Sequence, residues 1–232
     1  MTRSAQHSTA DSGSGAPLGA GDDAERRLRD RIVALGASLF ARGFSVGSAG
    51  NISARSGDGV LMTPTNASLG RLDPERLSLL GPDYGRLSGD LPSKEVVLHR
   101  AVYEARPDAR AVVHLHSPYA TALSCLAQES EQAMPALTPY HVMRLGSRVP
   151  VIRYGRPGSD ELFAEVRDAM RSGPAALLGN HGSLVAGASL EDAVNAAEEL
   201  EASAQLAFVL HGRAPRSLTP DEVSELERMR IR

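Results

Sequence analysis

Ala111-Val112-Val113-His114-Leu115-His116-Ser117-Pro118 is the stretch on which the reading of this chain turns. Side chains alternate along a strand, so both imidazoles of His114-Leu115-His116 fall on one face and Leu115 on the other. Two strand residues span roughly 6.6 Å, which lets both rings converge on one ion at ~2 Å. Taken alone, a His-x-His pair also fits two rings on a solvated face. Here Val112 and Val113 precede the pair and Ser117-Pro118 stops the strand. That places both histidines at the end of a buried strand, where sites are commonly built.

Outward from this strand the elements alternate in type, and a mixed α/β domain is expected. Upstream, Ala24 to Arg42 reads as an amphipathic helix with Leu28, Ile32, Leu35 and Leu39 on one face and Gly43 as its stop. Ile52 to Arg55 and Val60 to Thr63 read as strands around a Ser56-Gly57-Asp58-Gly59 hairpin. Ser93 is placed to cap a helix running to about Ala105. Downstream come a helix over Pro118 to Ala127, a strand over Val149 to Tyr154 and a helix over Ser159 to Met170. Strands at Ala175 to Leu178 and Ser183 to Ala186 flank an Asn180-His181-Gly182 turn. Ser189-x-x-Asp192 opens a long helix to about Leu210, and Thr219-Pro220-Asp221-Glu222 caps a short final one.

The chain of 232 residues carries a net charge of −3 with acids and bases interspersed, which argues against a nucleic-acid or anionic-membrane surface. From Thr2 to Asp23 the sole sizeable apolar residue is Leu18, so residues 1–23 are expected to be a disordered tail and 24–232 one catalytic domain. No apolar run approaches ~20 residues, and the N-terminus lacks the apolar core of a signal peptide. A soluble, cytoplasmic protein is expected. Cys125 is the sole cysteine, so any metal must be held by histidines and carboxylates. Among 25 basic residues, Lys94 is the one lysine.

A third partner for the histidine pair is best found at His181, in a tight turn between apolar strands where a polar ring is otherwise hard to justify. His7 lies in the tail, His99 reads as a surface partner of Glu95 one helical turn away, His141 as a loop residue and His211 as a helix end. Three neutral imidazoles with an open position suit a catalytic Zn²⁺. Gly47 to Asn51, Thr63-Pro64-Thr65-Asn66 and Pro92-Ser93-Lys94 each offer backbone N–H groups or small polar side chains. Each alone is an ordinary turn; together, beside a histidine triad and the lone lysine, they suggest an anion pocket.

In order, Gly50-Asn51, Thr63-Pro64-Thr65, Pro92-Ser93-Lys94-Glu95, His114-Leu115-His116 and Asn180-His181-Gly182 resemble the motifs of the class II aldolase/adducin family. The similarity runs from about Ala24 to Leu210. It implies a three-layer αβα fold around a largely antiparallel sheet, and a homotetramer with sites at subunit interfaces. It also implies zinc or another divalent ion on His114, His116 and His181, with Glu95 as acid/base residue and further metal ligand. Gly50, Asn51, Thr65 and Ser93 would cradle a phosphate. Where aldolases of the family carry Thr-Gly and Ser-Ser, this chain has Thr65-Asn66 and Ser93-Lys94. With Thr138 to Arg144, that pattern is most similar to the family's 3-oxo-tetronate 4-phosphate decarboxylases, with Asn66 and Lys94 among the substrate-binding residues and Tyr140 a further candidate contact.

The implied substrate is a small phosphorylated sugar acid of four-carbon catabolism. As a β-keto acid it loses C1 as CO₂ and leaves a metal-stabilised enediolate of dihydroxyacetone phosphate. Cleavage of a ketose phosphate by an aldolase generates the same enediolate, with an aldehyde as the other product. Three other readings compete: such an aldolase, a non-catalytic adducin-like module, and Schiff-base chemistry at Lys94.

Overall fold

The computed structural model describes residues 20–126 and 134–230. Its centre is an eight-stranded sheet in the order β4-β3-β2-β1-β5-β8-β7-β6. The strands are β1 (Asn51–Ser56), β2 (Gly59–Met62), β3 (Ser78–Leu80), β4 (Arg86–Ser88), β5 (Ala111–Leu115), β6 (Val151–Ile152), β7 (Ala175–Leu178) and β8 (Gly182–Gly187). All neighbouring pairs are antiparallel except β6 with β7.

Alternation along the strands splits the core into two layers. Ile52, Ala54, Val113, Leu115, Leu177 and Val185 face one apolar cluster, built with α1 (Ala20–Ala41), α3 (Pro118–Leu126) and α6 (Leu190–Val209). Val112, Ala176, Leu178, Leu184 and Ala186 face the other, built with α2 (Val96–Ala105) and α5 (Phe163–Ser172). This is the expected αβα sandwich. Two more helices follow: α4 (Pro139–Leu145) packs beside α6, and α7 (Pro220–Arg228) packs on α4.

Several boundaries differ from expectation, each for a local reason. Helix α1 starts at Ala20, ahead of the expected 23/24 boundary, with Asp22 and Asp23 suited to the positive end of its first turn. The remainder of the expected tail lies outside the described residues, as does Ala127 at the end of α3. Ser93 does not cap α2: the helix starts at Val96, and Ser93 Oγ accepts the backbone N–H of Glu95 at 3.3 Å. The expected strand over Val149 to Tyr154 shrinks to two residues, since Pro150 has no N–H to give a ladder. Helix α5 begins only at Phe163, after a turn in which Gly158 adopts positive φ. His141 sits in a helix and not a loop: Thr138 caps α4 by accepting His141 N–H, and Pro139 opens it.

Candidate metal centre and substrate cleft

The site forms where β1 and β8 flank the end of β5. Asn51 pairs with His114, and Leu115 with Ser183, so the neighbouring strands bring Asn51 and His181 to the histidine pair. Glycine is required on both sides. A side chain at Gly50, where φ is 77°, would put a Cβ 2.9 Å from His114 O, and one at Gly182 would come 2.2 Å from Leu115 O. The His181 turn is held from behind by α3, where Ser124 O accepts Asn180 N–H and Ser124 Oγ accepts His181 N–H.

His114, His116 and His181 form a nearly equilateral triangle, with ring centroids 4.9, 4.8 and 4.7 Å apart and every pair of rings edge-on. Glu95 closes the fourth corner: Oε2 is 3.3 Å from His114 Nε2 and Oε1 is 3.2 Å from His181 Nε2. One donor atom from each of the four residues lies within 4.8 Å of the other three.

These four residues fit a divalent cation on their own chemistry. His114 Nδ1 lies 2.8 Å from the carbonyl oxygen of Ser183, which can only accept, so Nδ1 carries the hydrogen. Burial pushes the His114 pKa down to about 4, so the ring is neutral and Nε2 presents a bare lone pair to the centre. Burial also lowers that of His116. Burial acts to raise the Glu95 carboxyl, but His114, His181 and Asn51 outweigh it and hold the group well below the usual carboxylate range. Glu95 Oε1 is buried and, among the described residues, makes no hydrogen bond of good geometry, its nearest polar neighbour in the cluster being His181 Nε2 at 3.2 Å. Ring nitrogens of three histidines and one carboxylate thus converge on one point, with His114 Nε2 2.9 Å from His116 Nε2, and a cation could gather this donor set.

Beside this centre opens a cleft of about 610 Å³ lined by Gly50, Asn51, Thr65, Asn66, Ser93 and Lys94. The three polar loops expected to form an anion pocket are therefore adjacent. A bridge between Pro64 and Pro92 and a bond from Ser93 N–H to Thr63 O tie two of them together. Lys94 is exposed, and its stem packs against Gly158, where a Cβ would come within 3.1 Å. Tyr140 is 60% exposed at the start of α4 and does not line this cleft.

Two polar residues that anchor the site escape a reading of the sequence. His99 is buried, with Nε2 2.6 Å from Asn51 Oδ1 and Nδ1 2.7 Å from Ser53 Oγ; it is not a surface partner of Glu95. Glu201 of α6 is also buried and caps α3, accepting from Ser117 Oγ at 2.7 Å and from the backbone N–H groups of Tyr119 and Ala120 at 2.8 Å. That carboxylate fixes the turn directly after His116.

The sandwich thus carries three histidines at or beside strand ends and a carboxylate at a helix start. Residues 30–208 match the class II aldolase and adducin N-terminal domain, and the chain belongs to that family. It is 49% identical over 201 residues to the 3-oxo-tetronate 4-phosphate decarboxylase of Haemophilus influenzae, covering 86% of this chain and 95% of that protein. To the L-fuculose phosphate aldolase of Escherichia coli K12 it is 34% identical, covering 78% and 82%. Among solved structures, YgbL of Escherichia coli superposes with a TM-score of 0.85 at 45% identity, covering 88% of this chain and 99% of that one.

Proposed function

We propose that the protein is a carboxy-lyase that converts a 3-oxo-tetronate 4-phosphate to dihydroxyacetone phosphate and CO₂. The observation that carries this reading is the juxtaposition of the Glu95, His114, His116 and His181 cluster with a cleft holding Ser93 and the lone lysine. A decarboxylase must bind a substrate carboxylate as well as its phosphate, and Lys94 supplies a cation that the Ser-Ser pattern of the aldolases lacks. Identity of 49% to a decarboxylase, against 34% to an aldolase, supports the same choice.

His114, His116 and His181, with Glu95, would hold a divalent ion, zinc by preference for imidazole donors, and when bound it supplies Lewis acidity toward the substrate oxygens. Gly50, Asn51, Thr65, Asn66 and Ser93 cradle the phosphate. Lys94 holds the carboxylate until the C1–C2 bond breaks. The electron pair of that bond moves to C2, in conjugation with the C3 carbonyl, and CO₂ departs. A proton must then reach C2, and Glu95 is placed to deliver it. Glu95 is an anion in the free site. The substrate's carboxylate and phosphate raise its proton affinity, so it takes a proton from water as substrate binds and gives it to carbon.

The family implies a homotetramer, and Tyr140, exposed outside its own cleft, is available to a neighbouring copy. Sedimentation measures the assembly. Incubation of the purified protein with 3-oxo-tetronate 4-phosphates of both C2 configurations tests the activity. The expected products are CO₂ and dihydroxyacetone phosphate in equal amounts. No CO₂, together with an aldehyde from a ketose phosphate, would assign an aldolase instead.

A further inference from the structure

Glu95, His99 and Tyr103 recur every fourth residue from the start of α2, and Asn51, Ser53 and Arg55 every second residue along β1. Four helical residues rise about 6.0 Å and two strand residues about 6.6 Å, so the two polar stripes stay in step. Between them runs a buried series of hydrogen bonds. Tyr103 OH lies 3.0 Å from Ser53 Oγ, which lies 2.7 Å from His99 Nδ1. His99 Nε2 lies 2.6 Å from Asn51 Oδ1, and Asn51 Nδ2 donates to Glu95 Oε2 at 2.8 Å.

The polarity of the series is fixed from the Glu95 end. A carboxylate only accepts, so Asn51 presents Nδ2 to it and leaves Oδ1 facing His99. An amide oxygen also only accepts, so His99 Nε2 carries a hydrogen. The ring is buried and neutral, which leaves Nδ1 bare to accept from Ser53. An amide does not readily relay a proton, so the series transmits orientation. The Asn51 backbone is already pinned by its pairing with His114, which leaves its side-chain torsions as the freedom to be fixed.

We propose that His99 is a positioning residue for the reaction at Glu95. Its Nε2–H locks the Asn51 amide so that Nδ2 holds Glu95 Oε2 and the carboxylate is fixed with Oε1 facing His181. Without that lock the amide can rotate and set its oxygen against the carboxylate. This inference rests on the acid/base reading of Glu95.

Two measurements test it. In protein labelled with ¹⁵N-histidine and stripped of metal, side-chain nitrogen spectra at neutral pH should show His99 as the Nε2–H tautomer. An Nδ1–H or doubly protonated ring overturns the proposal. Second, His99→Leu and His99→Gln are compared, since a glutamine amide reaches the Nε2 position and keeps a donor. His99→Leu should lower kcat about tenfold, more than it raises KM, and weaken Co²⁺ binding to the metal-free protein by about tenfold. His99→Gln should recover most of both. A folded His99→Leu with unchanged kcat and Co²⁺ affinity, or a His99→Gln no better than it, overturns the proposal. If His99→Leu does not fold, the tautomer decides. A wild type that releases no CO₂ refutes the decarboxylase reading, while tautomer and Co²⁺ affinity still judge His99.

Discussion

In the proposed mechanism Glu95 carries two duties that ask for opposite protonation states. As a donor to a cation it must be an anion, and as a source of a proton for carbon it must be an acid. The site favours the anion through His114, His181 and Asn51, and the charges of a bound substrate favour the acid. Glu95→Gln keeps the shape and removes the exchangeable proton. Product formation should fall about 10²-fold or more, as followed by CO₂ release in a single turnover. His116→Ala and His181→Ala act earlier, by removing one corner of the imidazole triangle. Each should lower the divalent metal per chain after purification together with activity, and full occupancy in His181→Ala would refute the triad. Lys94 separates charge from shape. Lys94→Ser should slow decarboxylation by roughly 10- to 150-fold, the usual worth of a charge-assisted contact, while dihydroxyacetone phosphate still binds. Lys94→Arg should also fail, because a planar guanidinium replaces a compact ammonium whose stem lies against Gly158. Equal loss of substrate and product affinity in Lys94→Ser would move the ammonium to the phosphate.

At the scale of elements, the site depends on helices that never touch substrate. Glu201 of α6 satisfies two N–H groups at the start of α3, and α3 in turn holds the His181 turn. Glu201→Ala should therefore destabilise the fold by about 1–3 kcal/mol, read from urea unfolding, because the Ala120 N–H and the Ser117 hydroxyl lose a buried acceptor. An unchanged unfolding midpoint would contradict that assignment. What a sequence exposes at this scale is whatever repeats locally. The hairpin glycines, the His-x-His alternation and the Ser189 and Thr219 caps are all signals within a few residues, and each element they announce is present. The αβα layering and the gathering of Glu95 with three histidines follow from the family motifs. His99 and Glu201 carry no such signal. An imidazole one turn from an acid, or an acid in a long helix, looks like a surface residue until the facing element is known. For His99 the facing element is β1, and its two-residue spacing matched to the four-residue spacing of α2 is a signal that joins two distant segments. Thr138-Pro139 is a genuine helix start, yet α4 is only seven residues long and has no periodicity to reinforce it.

For the whole molecule, three buried histidines set a pH dependence of stability. Burial pushes His99 down to about 3, and His114 and His141 down to about 4, from an ordinary 6.5. Between those values the unfolded chain binds protons that the folded chain refuses, so unfolding takes up protons and stability rises with pH. For the metal-free protein, stability should be complete above about pH 6.5 and decline as pH falls toward 4. Urea unfolding at several pH values in chelator checks this, and a flat profile would contradict it. The described residues hold no helix long and apolar enough to cross a membrane. The central strand β5 has further consequences for how the molecule is made. It is paired on one side with β1 and on the other with β8, and the donors it gathers come from positions 95, 114, 116 and 181. During synthesis the chain emerges in order, so the cage has no fourth corner until β8 has left the ribosome and α6 has packed over it. A nascent chain offers a passing ion only scattered histidines. Strand pairing therefore settles the spacing of the four donors, and the complete cage exists only in the folded chain.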